Sequence, residues 1–353
     1  MMRRRDFLHA IGAAGALAFT GGRAFDARGA DAAADAAALL AATLSADFHS
    51  HAWRRNNFAP EMRQGGLSLA VMAAVSDRPL IRMEGGRLRA RGSAARGHLN
   101  YIAMRQVAEI KRAAEWNDLA IVRAPADAQA ARLAGRPGVI IGFEGGDVLE
   151  GDLERMHEIH AEGARLLQLV HFRVNELGDI QTEDTVHGGL TAFGGEVVRA
   201  CNRLGIIVDV AHATFDVVKQ VVKTATRPIL LSHTFHSEAQ RLHTRGITRS
   251  HARAVAETGG AIGVVPFPSA FATLQHYVEG IARMADVAGI DHVGIASDQD
   301  GIPGGVPPFN RYDQFPQLVQ LLGERGFARD DMQKIMGGNF MRVFNAAAAI
   351  SRP

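Results

Sequence analysis

The chain of 353 residues holds a single cysteine, Cys201. A lone thiol cannot close an internal disulfide, and without a second cysteine there is neither a thiolate zinc knuckle nor a dithiol redox pair. No apolar run approaches the ~18–20 residues that a membrane span requires, so nothing past the N-terminus reads as transmembrane. Glycine-rich phosphate loops are missing as well: neither GxGxxG nor a P-loop occurs, which sets aside the nucleotide-binding doubly wound sheets. An excess of one charge is also missing. Lys+Arg 39 against Asp+Glu 37 leaves +2, and residues 1–29 hold Arg3, Arg4, Arg5, Arg23 and Arg28 against only Asp6 and Asp26. That segment therefore carries +3 and the rest of the chain −1, which gives no basic surface for a nucleic acid.

The basic segment has the form of an address. Arg4-Arg5-Asp6-Phe7-Leu8 followed by an Ala/Gly-rich apolar stretch to Thr20 reads as a twin-arginine-type export signal over 1–29, with a small-x-small cleavage candidate at Ala30-Asp31-Ala32. A periplasmic or secreted protein is expected, with no membrane span once the signal is removed. The organisation that follows is an Ala-rich lead-in over 30–43, helical from 31 to 42, then one domain over 44–345 and a tail over 346–353.

Within 44–345 short apolar runs alternate with helical stretches. Strands are expected near 44–50, 67–74, 138–143, 165–171, 206–211, 228–232, 260–266 and 291–297, with helices at 97–117, 152–162, 193–204, 214–224, 249–258, 275–288 and 314–323. Runs such as Gly138-Val139-Ile140-Ile141-Gly142-Phe143 are apolar almost without interruption, as strands buried on both faces of a parallel sheet must be. Eight of them alternating with helices predict an α/β fold, the (β/α)8 TIM barrel. The Arg/Gly-rich segment 82–97 and the Gly/Pro cluster 301–312 read as exposed excursions.

Active sites of such barrels form at the C-terminal strand ends, and here six of the eight strands end in a possible ligand or acid/base. The first ends Asp47-Phe48-His49-Ser50-His51, where residues i and i+2 share a face, so His49 and His51 can converge on one metal ion. The third ends at Glu144, the fourth at His171, the fifth at His212, the sixth at His233 and the eighth at Asp298. Histidines and carboxylates gathered at one mouth would cost several kcal/mol if buried without partners, and a metal centre removes that cost. Nitrogen and oxygen ligands without thiolate suit Zn²⁺, and also Mn²⁺ or Co²⁺. The remaining histidines read as ordinary: His157 and His160 lack HExxH spacing, His187, His251 and His276 fall on loops or helices, and His292 begins a strand. His236 and His243 follow a ligand strand and are candidates for the rim.

DFHSHAW, GFEGGDVLE, LVHFRVNELGD, GLTAFGGEVVRACNRLGIIVDVAH, PILLSH, GIDHVGIASDQDG and GGNFMRVF, in that order, resemble the membrane dipeptidase (renal dipeptidase) family of zinc enzymes over roughly 45–345. The resemblance implies an amidohydrolase-like barrel with two divalent metal ions, most often zinc. His49 and His51 would bind the first, His212 and His233 the second, and Glu144 would bridge them. It also implies substrate contact for His171, a carboxylate clamp for Arg245 in Leu242-His243-Thr244-Arg245-Gly246, and proton transfer for Asp298. The implied activity is hydrolysis of short peptides with a free C-terminal carboxylate through a bridging hydroxide, and a homodimer fits the family. One position departs from the pattern: the family has His-x-Asp where this chain has His49-Ser50-His51. Two other readings stay open, hydrolysis of an N-acyl amino acid, lactam or lactone on the same centre, and a metal- or solute-binding protein without catalysis.

Overall fold

The computed structural model describes residues 21–238 and 244–349. The Arg4-Arg5 pair, His243 and the end of the tail lie outside them.

Eight strands form the barrel: β1 (Ala46–Ser50), β2 (Leu69–Val75), β3 (Gly138–Glu144), β4 (Ala164–Gln168), β5 (Ile207–Asp209), β6 (Leu230–His236), β7 (Ala261–Val264) and β8 (Val293–Ile295). Each pairs in parallel with the next, and β8 returns to β1 with Asp47 opposite Ile295. The sheet is closed, and helices lie between successive strands, a (β/α)8 barrel as the alternation predicts. Two short strands, Ala120–Ile121 on β3 and Gly246–Ile247 on β6, extend the sheet. The N-terminal helix spans Gly21–Ala42, starting ten residues before the helix expected over 31–42.

Side chains alternate across the barrel wall. Val139, Ile141 and Phe143 of β3 face the helix layer with Val107 and Ile110. Leu69, Val71, Ile140, Leu166, Ile207 and Leu230 face inward in a second cluster. Phe340, Val343 and Phe344 of the C-terminal helix Asn339–Ala348 belong to that inner cluster and plug the end of the barrel where the strands begin. Asn339 fixes the plug there, its side-chain amide donating to Ile290 O and Val293 O at 2.9 and 2.8 Å.

Two irregularities decide which residues face the other end. Ala46 and Phe48 of β1 point inward, so strict alternation would send His49 and His51 out to the helices. Between Asp47 and Ser50, however, β1 carries one residue more than β2. A second extra residue lies in β6, between Leu231 and Thr234 opposite Ile262 and Val264 of β7. Each bulge reverses the phase of its strand, and His49, His51 and His233 turn into the mouth.

Gly263 of β7 sits against the β6 bulge, where an added Cβ would lie 1.9 Å from Ser232 O and 3.0 Å from the Ala296 Cβ. Gly263→Ala is expected to lower stability by about 1–3 kcal/mol, the cost of overpacking a filled core. A urea-unfolding midpoint equal to that of the parent would contradict this account of the bulge.

Candidate metal centre

Glu144 ends β3 in phase with Ile140, so its carboxylate rises from the core into the mouth. Five imidazoles surround it. His49 Nε2 lies 3.4 Å and His171 Nε2 3.2 Å from Glu144 Oε1, His212 Nε2 and His233 Nε2 each 3.6 Å from that oxygen, and His51 Nε2 3.3 Å from Oε2. Asp298, in phase with the inward-facing Ala296, brings Oδ1 to 3.6 Å from His51 Nε2 and 3.9 Å from His49 Nε2. All seven side chains are buried. The strand-end residues singled out in the sequence thus come together in one place, and Arg245 lines the same cavity.

The outer ring of contacts fixes these groups. His171 Nδ1 meets Asp77 Oδ1 at 2.7 Å, and Asp77 Oδ2 accepts from the Phe172 N–H. The Ser232 hydroxyl lies 2.9 Å from His233 Nδ1, and His51 Nδ1 lies 3.3 Å from Ala73 O. Asp47 accepts the Ser297 N–H at 2.8 Å, tying β1 to β8 beside Asp298. Asp209 accepts the N–H groups of Ala211 and Ser232, tying β5 to β6 beside His212. The sequence pattern alone gives Asp77, Asp47 and Asp209 no role; the signal present was a carboxylate within or just past a strand, each with a serine or histidine nearby in sequence.

His212 and Asp298 both adopt left-handed backbone, with φ of 67° and 46°. Such conformations cost a non-glycine residue on the order of 1–3 kcal/mol and persist where the surroundings impose them. Gly301 leaves room for Asp298, since a Cβ there would stand 2.1 Å from Asp298 Oδ1.

Electrostatics shows what the cluster needs. Burial opposes the charge on Glu144, but His171 and His49 beside it hold its carboxyl well below the usual range. Burial likewise disfavours protonated His49, and Glu144 and Asp298 overcome this to raise it to about 9. The other side of the cluster stays neutral: burial takes His51 down to about 4, and burial and Arg245 take His212 well below its ordinary value. Burial lifts Asp298 to about 7. Several neutral imidazoles therefore offer lone pairs around carboxylates that require positive charge.

The residues fit divalent metal. His49 Nδ1 and Nε2, His212 Nδ1 and Asp298 Oδ1 are buried without hydrogen-bond partners, and two imidazole nitrogens, His212 Nε2 and His233 Nε2, face each other at 3.0 Å. Three sets of donors lie close enough to share an ion: His49, Glu144 and His233; His49, His51 and Asp298; Glu144, His171 and His212. A cation satisfies in one step donors that are otherwise costly to bury.

A cavity of about 470 Å³ opens over the cluster, within the size range of small-ligand sites. The segment after β2, expected as an exposed excursion, forms an antiparallel hairpin, Ile81–Glu84 with Arg87–Ala90, and Ile81, Arg87 and Leu88 line the cavity. His236 does not line it; its Nε2 pairs with Glu238 Oε1 at 3.0 Å. His157, His187 and His276 are exposed, and His292 Nδ1 meets Gly260 O at 2.7 Å near the barrel's other end.

The family model described as membrane dipeptidase (peptidase family M19) matches residues 29–353. A dipeptidase of Aspergillus oryzae is 29% identical over 228 residues, 62% of this chain and 53% of its own length. The chain spans about half the length of the curated relatives it matches. Among solved structures, an amidohydrolase from Pseudomonas aeruginosa superposes with a TM-score of 0.75 at 24% identity, covering 88% of this chain and 98% of that one. A metallo peptidase from Rhodobacter sphaeroides, liganded with a phosphinate mimic of the dipeptide L-Ala-D-Ala, gives 0.73 at 21% identity over 86% and 99%.

His212→Ala and Glu144→Gln are each expected to lower the bound divalent metal per chain, measured by elemental analysis after dialysis. His157→Ala, on an exposed helical face, keeps the parent's stoichiometry. Equal metal content in all three variants would sink the assignment of the centre.

Proposed function

The chain belongs to the membrane dipeptidase family, and from that premise we propose that it is a metal-dependent dipeptidase acting on short peptides with a free C-terminal carboxylate. The observation that carries this reading is the convergence of five histidines on Glu144 beside Arg245 in one cavity. The solved Rhodobacter sphaeroides metallo peptidase, of the same fold, holds a dipeptide mimic, which supports that substrate class. In the proposal His49 and His51 hold one metal ion, His212 and His233 a second, and Glu144 lies between them. Zinc is the ion favoured by this nitrogen- and oxygen-donor set. Such a pair of ions, when bound, acidifies water enough for it to attack a peptide carbonyl at neutral pH.

The chain's own residues then have separate tasks. Asp298, raised to about 7 by burial and with Oδ1 free of hydrogen bonds, takes the proton from the attacking water and delivers it to the leaving amine. His171 donates Nδ1–H to Asp77, and although burial opposes its charge, Asp77 and Glu144 raise it; in the imidazolium form so favoured, Nε2–H can donate to the oxygen on which negative charge develops. Arg245 is aimed by two acceptors, Gln181 Oε1 at 2.8 Å and His233 O at 3.0 Å. Burial lowers it only to about 10, so it remains a cation at neutral pH and can pair with the terminal carboxylate. His51, standing where the family carries aspartate, favours a second reading, hydrolysis of an N-acyl amino acid, lactam or lactone by the same groups. Export by the Arg4-Arg5 signal and assembly as a homodimer complete the proposal; the motif supports the first and the family resemblance the second.

The zinc-loaded protein is expected to hydrolyse dipeptides and to stop on chelation; no turnover of any dipeptide would overturn the reading. Arg245→Ala should raise KM for substrates with a free C-terminus while leaving amidated ones little affected, and an equal effect on both rules out the clamp. Asp77→Asn, which removes the charge that orients His171, should lower kcat by about 10–100-fold; unchanged kcat would show that His171 needs no such support.

A further inference from the structure

Four arginines line the cavity, and three of them lie outside the assigned machinery: Arg54, Arg78 and Arg87. Nearby arginines are neutralised. Arg55 pairs with Glu61 and Asp300, Arg89 with Glu183, and Arg91 with Glu84. Among the described residues, Arg54, Arg78 and Arg87 enter no ion pair. Arg54 lies over the Trp53 ring, with only Gln106 Oε1 at 3.5 Å as acceptor. Arg87 donates to Thr182 O at 2.8 Å, a contact that fixes the hairpin and leaves the charge uncompensated. Arg54 and Arg78 are close enough for Arg78, after burial, to lower the Arg54 pKa, against smaller opposite effects of Glu144, Asp300 and Asp298. Of the acids in the lining, Glu144 and Asp298 belong to the metal cluster, and Asp300 is already held by Arg55 Nε at 2.9 Å. Guanidinium groups gathered on one wall repel one another until an anion sits among them.

The barrel's topology says which end of a substrate meets this wall. Arg54 follows β1, and Arg78 and the hairpin carrying Arg87 follow β2. Arg245 follows β6, on the far side of the closed ring. A dipeptide whose terminal carboxylate is held by Arg245 extends its amino-terminal residue across the metal cluster toward β1 and β2. We propose that Arg54, Arg78 and Arg87 form a subsite for an anionic side chain, so that the preferred substrates are dipeptides with glutamate or aspartate as the amino-terminal residue. This rests on the dipeptidase reading and on the clamp at Arg245.

The test compares Glu-Ala with Gln-Ala, which differ by one charge at nearly constant shape. Two readouts are taken: kcat/KM with the zinc-loaded protein, and calorimetric Kd with the chelator-treated protein, in which no turnover is expected. Glu-Ala is expected to exceed Gln-Ala by about tenfold or more in kcat/KM and to bind correspondingly tighter, as a charge-assisted hydrogen bond allows. In the double variant Arg78→Gln/Arg87→Gln the ratio falls toward one. Arg89→Gln, on the same hairpin but paired with Glu183, retains the parent ratio. Hydrolysis of both peptides with equal kcat/KM overturns the subsite and leaves the dipeptidase reading standing. Tighter binding of Glu-Ala without hydrolysis of either peptide does the reverse, and a parent ratio that survives the double variant removes these arginines from substrate choice.

Discussion

A single buried carboxylate, Glu144, organises the mouth of the barrel. Left among apolar groups it would be neutral, and its ionisation is sustained by the imidazoles that the other strands deliver. Those imidazoles are crowded together in turn because a negative charge lies at their centre: His212 and His233 set nitrogen against nitrogen, a contact with nothing to recommend it in the absence of a shared electrostatic focus. The strained backbone at His212 and Asp298 and the missing side chain at Gly301 are accommodations to the same focus. Stability is spent locally so that donors converge, and the filled interior below, sealed by the C-terminal helix, supplies it.

Much of this was legible in the sequence because barrel strands are short, apolar and regularly spaced. Gly138–Phe143 and, within 206–211, Ile207–Asp209 read as strands for the reason that they are strands, burial on both faces. Strand ends then pointed to Glu144, His171, His212, His233 and Asp298, since the fold places its chemistry there. The reading of His49 and His51 from i, i+2 spacing was sound about their sharing a face, but alternation from Phe48 would have chosen the wrong one. A bulge is a property of the pairing between two strands, and the hydrophobic pattern of either strand alone does not contain it. For the same reason the sixth strand, expected to stop at Ser232, continues past its bulge to His236. Asp77 and the hairpin 81–90 escaped because their importance lies in what they meet across the mouth, His171 in one case and the cavity in the other.

The mouth has two electrostatic halves with different origins. The inner half is acidic and histidine-rich, rooted in strands and held by backbone contacts such as those of Asp47 and Asp209. The outer half is basic and is carried by the connections after β1, β2 and β6. Connections of a barrel change without disturbing the strands, so the histidine–carboxylate cluster and the arginine-bearing wall reside on separable parts of the chain.

The closing contact of the barrel joins residues 250 positions apart, Asp47 and Ser297, and the helix that plugs its base ends the described chain. During synthesis, therefore, the first strand with His49 and His51 must wait for the 250 positions that separate its Asp47 from Ser297 before it acquires the neighbours that gather its histidines into one cluster. The gathering of His49, His51, Glu144 and Asp298 is consequently coupled to closure of the ring, and a chain that lacks its eighth strand has no completed cluster.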